Sequence, residues 1–254
     1  TLLDTIADLA ESANYALKQL GYPTHNVETI RTFVGNGINK LLERALPTHE
    51  QTEENVMRMR SHFVPYYDVH NADLSAPYPG IVHLLENLQA KGIQLAVASN
   101  KYQAATVKLV KQYFPNINFV EILGQREGIN VKPDPTIVFD ILKKANVSRE
   151  ETLYVGDSGV DMQTAINAGV DAVGVTWGFR PRAELENYWN LFDPFQKLTY
   201  ILLQPFVYRR LLKAGMLAKY CIDRQKGAFI TCQLIAILYM MFSQSLDFFF
   251  AFTA

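Results

Sequence analysis

The sequence predicts an α/β protein: a Rossmann-like, doubly wound parallel sheet, accompanied by a helical region and by a hydrophobic C-terminal tail that the pattern does not absorb. Three observations carry this prediction. From Pro79 to Trp177, short apolar runs alternate with amphipathic stretches of helical period, the pattern of a parallel sheet with helices on both faces. The apolar runs end in polar side chains. Before about residue 75 the spacing is helical, with no strand between.

Taken in order, Ile6, Leu9, Ala10, Ala13, Ala16, Leu17 and Leu20 share one face of a helix over residues 5–20, and Gly21 supplies its stop. Ile38, Leu41, Leu42 and Ala45 repeat at helical spacing in GINKLLERAL, and ENVMRMRSHFVPYY continues in the same manner toward Pro65. GIVHLLENLQAKG is an amphipathic helix ending at Gly92, followed by the strand IQLAVASN. A helix after Asn100, the extended FVEIL, a helix from Ile137 to Ala145, the strand TLYV, a helix to Gly169 and the strand AVGVTW complete the series. Ser148 and Glu151 imitate a capping box, but a strand follows so closely that a plain turn is expected.

The chain has 254 residues, 49% of them hydrophobic, which is enough for a large core. Its net charge of -1 is spread along the chain, against a nucleic-acid surface and in favour of a small-molecule partner. Only Cys221 and Cys232 are present, so a reducing, cytoplasmic setting is expected. The first residue is Thr rather than Met and no basic leader follows, so the chain reads as a fragment or a processed product.

In TLYVGDSGVDM the apolar run is closed by Gly156 and delivers Asp157 at its carboxyl end, with Asp161 one helical turn further on. Ligands of open α/β sheets bind in the crevice beyond the carboxyl ends of the strands. Two hard oxygen donors there suit Mg²⁺, which is held by one or two carboxylates plus a substrate phosphate. The plainer reading is that Asp157 caps the next helix. Ser99 and Asn100 end another strand, and Lys132 stands in VKPDP. A hydroxyl and free N–H groups bind phosphate, a lysine neutralises phosphoryl charge and acids hold a cation, so together these groups describe phosphoryl transfer without a nucleophile in view. Singly, each has a plain rival: a strand-end turn for Ser99 and Asn100, a solvated surface charge for Lys132, and backbone devices for the glycines of GNG. The five histidines show no ligand spacing.

VASN, VKPDP and GDSGVD, in that order, resemble the last three motifs of the haloacid dehalogenase superfamily, whose phosphatases open with an Asp-x-Asp-Gly-Thr signature. The resemblance covers roughly residues 1–186, and TLLDTIADL fits the part just after the signature's Gly. It is closest to phosphoglycolate phosphatase-like enzymes, and FVGNGINKLLERAL resembles their cap segment. It implies a core of residues 1–10 and 79–186, an inserted helical cap of 11–78, and an extension of 187–254. It also implies that Thr1 is the signature's Thr. Both signature aspartates, the nucleophile and the general acid and base, would then lie upstream of the first residue, leaving this fragment itself inactive. Ser99 and the Asn100 N–H would hold the phosphoryl oxygens, Lys132 would balance nucleophile and phosphate, and Asp157 would bind Mg²⁺ with Asp161 supporting it. Phe33, Gly35, Asn36 and Gly37 would lie in a cap loop facing the substrate. The family's first strand is central, so its absence is expected to leave the strands ending near Ser99 and Asp157 without a neighbour.

Beyond GFRPRAELENY the resemblance ends. Residues 228–246, AFITCQLIAILYMMFSQSL, carry no charge over nearly the roughly 20 residues that span a bilayer. They read as a membrane anchor, a misassembled extension or a packing helix. The expected function is a Mg²⁺-dependent phosphatase of a small phosphorylated metabolite, with 2-phosphoglycolate the first choice. The alternatives are a β-phosphoglucomutase-like phosphomutase and a noncatalytic phosphate-binding module.

Overall fold

The computed structural model of the chain describes residues 1–188, 198–201 and 249–252. The candidate anchor at 228–246, Cys221 and Cys232 lie outside the described residues. Among the described residues no helix is long and apolar enough to cross a membrane.

The N-terminal part is helical because its apolar residues keep helical spacing and its turns carry their own caps. α1 (Ile6–Gln19), α2 (Val27–Phe33), α3 (Ile38–Ala45) and α4 (Glu53–His70) bury Leu17, Ile30, Leu42, Met59 and Phe63 in one cluster. The Asn26 side chain accepts from the Thr29 N–H at the start of α2, and Thr52 accepts from Asn55 at the start of α4. Pro65 does not end α4, which continues to His70. The proline removes one helical hydrogen bond, and the buried rings of Phe63 and Tyr67 on either side of it keep the helix in place. The helical run is also entered by a strand that its spacing does not announce: β1 (Leu3–Asp4) pairs antiparallel with β2 (Ala76–Pro77). Two residues are too short for any alternation to show.

α5 (Ile81–Ala90), β3 (Gln94–Tyr102), α6 (Gln103–Tyr113), β4 (Phe119–Gln125), α7 (Thr136–Ala145), β5 (Thr152–Gly156), α8 (Gly159–Ala168), β6 (Asp171–Val175) and α9 (Arg182–Glu186) follow. Alternation along β3 sets the two faces. Leu95 and Val97 pack with Leu85, Leu88, Leu109 and Val110, while Ala96 and Ala98 pack with Ile137, Val138, Ile141 and Met162. Ser148 to Glu151 form a turn rather than a helix start, with the Ser148 N–H donating to the Glu151 carboxylate at 2.8 Å.

The sheet is parallel throughout and ordered β4-β3-β8-β5-β6-β7, where β7 is Leu198–Ile201 and β8 is Phe249–Phe252. The expected gap beside β3 and β5 is therefore filled. Phe250 stands opposite both Leu95 and Leu153, so the backbone groups of the two neighbours are paired in a ladder. An open slot between two buried strands presents two rows of unpaired N–H and C=O groups, and an extended apolar segment of the tail satisfies both.

Asp8, in the first turn of α1, holds the two linkers of the helical region together. It is buried; one carboxylate oxygen accepts from the Leu74 N–H at 2.9 Å, and the other accepts from the Ser75 N–H at 2.8 Å and the Ser75 hydroxyl at 2.5 Å. Removing the carboxylate strands the buried Ser75 N–H and hydroxyl and leaves the Leu74 N–H without its partner. Asp8→Ala is expected to lower the unfolding free energy in urea by about 3 kcal/mol, whereas Val69→Ala, at an exposed site on α4, should stay within about 0.5 kcal/mol. Equal effects of the two would contradict this role for Asp8.

Candidate functional site

The carboxyl ends of β3 and β5 meet at a cavity between the parallel sheet and the helical region. Thr1, Ser99, Asn100, Lys132, Asp157 and Asp161 all line it. Ser99 is buried near the end of β3, where its hydroxyl accepts from the Lys101 N–H at 3.1 Å. Lys132 is 5% exposed, which excludes the solvated-surface reading. Its ammonium donates to Asp161 Oδ1 at 2.8 Å and to the Ala98 carbonyl at 3.0 Å.

The two acids divide their work differently from the plain capping reading of Asp157. Ser158 is the N-cap of α8, and Asp161 is the acid of its capping box. Asp161 Oδ2 accepts from the Asp157 N–H at 3.2 Å, the Ser158 N–H at 3.1 Å and the Ser158 hydroxyl at 2.7 Å. Both oxygens of Asp161 are thus engaged within the protein. Asp157 instead turns toward the cavity. Its Oδ1 accepts from the Thr1 hydroxyl, and its Oδ2 accepts from the Phe179 N–H at 3.0 Å. Burial pushes the Asp157 carboxyl up, and the hydrogen bonds from the Thr1 hydroxyl and the Phe179 N–H pull it down. Among the described residues no group of three or more His, Cys, Asp or Glu gathers as a metal cage.

The helical region closes the cavity through the loop between α2 and α3. Asn100 is a bridge: its side-chain amide donates to the Gly35 carbonyl at 3.0 Å and to the Lys132 carbonyl at 3.1 Å, and its Oδ1 accepts from the Lys132 N–H at 2.8 Å. Gly35 and Gly37 line the cavity with φ of +124° and +83°, conformations that suit glycine. Phe33 and Asn36 are not among its walls; Phe33 packs on the helical cluster, edge-on to His25. Two cavity cations escape the sequence reading. Arg180, after β6, donates to the Thr32 carbonyl at 3.3 Å and to the Val34 carbonyl. Lys101 donates to the Tyr67 hydroxyl of α4 at 2.5 Å. Nothing in SNKY or GFRPR distinguishes these cations from surface charges, although the place of Lys101 directly after SN was a signal.

Gly178 shows how closely Asp157 is held. A Cβ at Gly178 would lie 2.0 Å from Asp157 Oδ2 and 2.2 Å from its Cγ, so the loop after β6 can press against the carboxylate only without a side chain. Gly178→Ala is expected to cost about 1–3 kcal/mol of unfolding free energy through overpacking, read as a lowered urea midpoint. An unchanged midpoint would show that the loop moves aside freely.

Residues 1–175 match the family profile of haloacid dehalogenase-like hydrolases. The phosphoglycolate phosphatase of Vibrio parahaemolyticus is 34% identical over 184 residues, spanning 70% of this chain and 81% of the relative. That of Pseudomonas savastanoi pv. phaseolicola is 34% identical over 212 residues, spanning 78% and 75%. A crystal structure from Lactobacillus delbrueckii subsp. bulgaricus, assigned by inference as a phosphoglycolate phosphatase, superposes with a TM-score of 0.72 at 31% identity, covering 83% of this chain and 94% of that one. With the strand-end constellation, these likenesses establish that the chain belongs to the haloacid dehalogenase-like hydrolase family.

Proposed function

We propose that this protein is the body of a Mg²⁺-dependent phosphatase of small phosphate monoesters, with 2-phosphoglycolate as its first-choice substrate. The observation that carries the reading is the convergence of Ser99, Lys132 and Asp157 on one cavity at the carboxyl ends of parallel strands, beneath a helical cap. The substrate follows the names of the Vibrio and Pseudomonas relatives. The core is read as residues 1–10 and 79–186, with 11–78 as the cap and 187–254 as an extension that contributes β7 and β8.

In this reading Ser99 and the backbone N–H of Asn100 bind phosphoryl oxygens, Lys132 balances their charge, and Gly35 and Gly37 bring the cap backbone close to the substrate. Thr1 flanks the same oxygens. The donor set fits Mg²⁺: hard carboxylate oxygens of Asp157 line the cavity where a phosphoryl group would sit. Asp157 would hold the ion, and Asp161 would position Lys132 and the backbone beside it. Bound there, Mg²⁺ would offset negative charge on the transferring phosphoryl group. The attacking carboxylate is assigned to an Asp-x-Asp-Gly segment directly ahead of Thr1.

Phosphate release from 2-phosphoglycolate, measured with and without Mg²⁺, tests the assignment on this chain and on a longer one carrying Asp-x-Asp-Gly before Thr1. The expected result is Mg²⁺-dependent turnover in the longer chain only, reduced at least about a hundredfold by Asp157→Asn. Phosphate binding without turnover in either chain would favour a noncatalytic phosphate-binding module. Equal turnover in both would place the nucleophile elsewhere.

A further inference from the structure

The phosphoryl site accounts for Lys132 but not for the second lysine in the same cavity. Lys101 lies two residues after Ser99 on β3, and its side chain leaves the core for the cap. Its ammonium has the Tyr67 hydroxyl as hydrogen-bond partner and sits 4.6 Å from the centre of the Tyr67 ring. Among the described residues no carboxylate forms an ion pair with it, whereas Lys132 has Asp161. Burial pushes the Lys101 ammonium down to about 7, with the Asp8 carboxylate opposing that shift from a distance. A partly buried cation without an anion is costly unless a ligand supplies one. Leu9, Ile38, Leu41 and Phe63 give the cap side apolar walls, and Arg180 spends its guanidinium on the Thr32 and Val34 carbonyls, so Lys101 is the cavity cation that a substrate anion can meet there.

We infer that Lys101 is a specificity residue that binds a carboxylate on the substrate, so that the cavity selects carboxylated phosphate monoesters over neutral alkyl or sugar ones. The inference rests on the phosphatase reading and narrows its substrate class. Lys132 takes the phosphoryl end, Lys101 takes the carboxylate, and Tyr67 orients the Lys101 ammonium.

Calorimetric titration with two non-hydrolysable phosphonates in Mg²⁺ tests this on the full chain. 3-Phosphonopropionate carries the carboxylate, and propylphosphonate lacks it. The wild-type chain should bind the first about 10- to 100-fold tighter, as expected for one charge-assisted contact. Lys101→Met should bring the two within about twofold of each other by weakening only the first, and Lys101→Arg should restore part of the preference. Equal binding of both phosphonates by the wild-type chain overturns the inference without any variant. So does an equal loss of both in Lys101→Met. Failure of both phosphonates to bind overturns the phosphatase reading itself and the inference with it.

Discussion

The site depends on a buried ion pair. Lys132 and Asp161 each expose about one twentieth of their side chain, and such a pair is stable only when hydrogen bonds complete what desolvation removes. Here they do. The ammonium also reaches the Ala98 carbonyl on β3, and the carboxylate closes the capping box of α8. One cation thereby ties the end of β3, the loop before α7 and the start of α8 into a single frame. Asp161 can be satisfied by these contacts only because Asp157 is not the cap, which leaves Asp157 facing the cavity. Close approach completes the frame: a Cβ on Gly156 would lie 2.2 Å from the Asp161 Cβ.

The helical region is fastened to this frame at its hinge and at its rim. At the hinge, Asp8 draws Leu74 and Ser75 onto α1 beside the β1 and β2 pair. At the rim, Asn100 and Arg180 hold carbonyls at the end of α2 and in the loop after it, and Lys101 reaches Tyr67 on α4. Packing joins these polar contacts at the rim, where Tyr102, Ala105 and Phe179 sit against the helical cluster. The hinge is buried.

Much of this was legible in the sequence because it repeats with a period. Alternating apolar runs and helical stretches gave the parallel sheet, and the polar residues ending those runs gave Ser99, Asn100, Lys132, Asp157 and Asp161. What escaped has no period. The two-residue strands β1 and β2 are too short to alternate, and Pro65 is held in α4 by packing that a local rule does not see. The tail segment in the central slot is chosen by unpaired strand edges on either side of it. Arg180 and Lys101 become cavity residues only when remote segments meet, and Phe33 and Asn36 share a loop with Gly35 without lining the cavity.

The most direct test of the account is where a phosphate lands. Amide NMR shifts of the full chain, titrated with orthophosphate in the presence of Mg²⁺, should move first and furthest at Ser99, Asn100, Lys132 and Asp157, the residues that gather at the strand ends. Shifts centred away from those strand ends, or none at millimolar phosphate, would contradict the claim that this frame was built to hold a phosphoryl group.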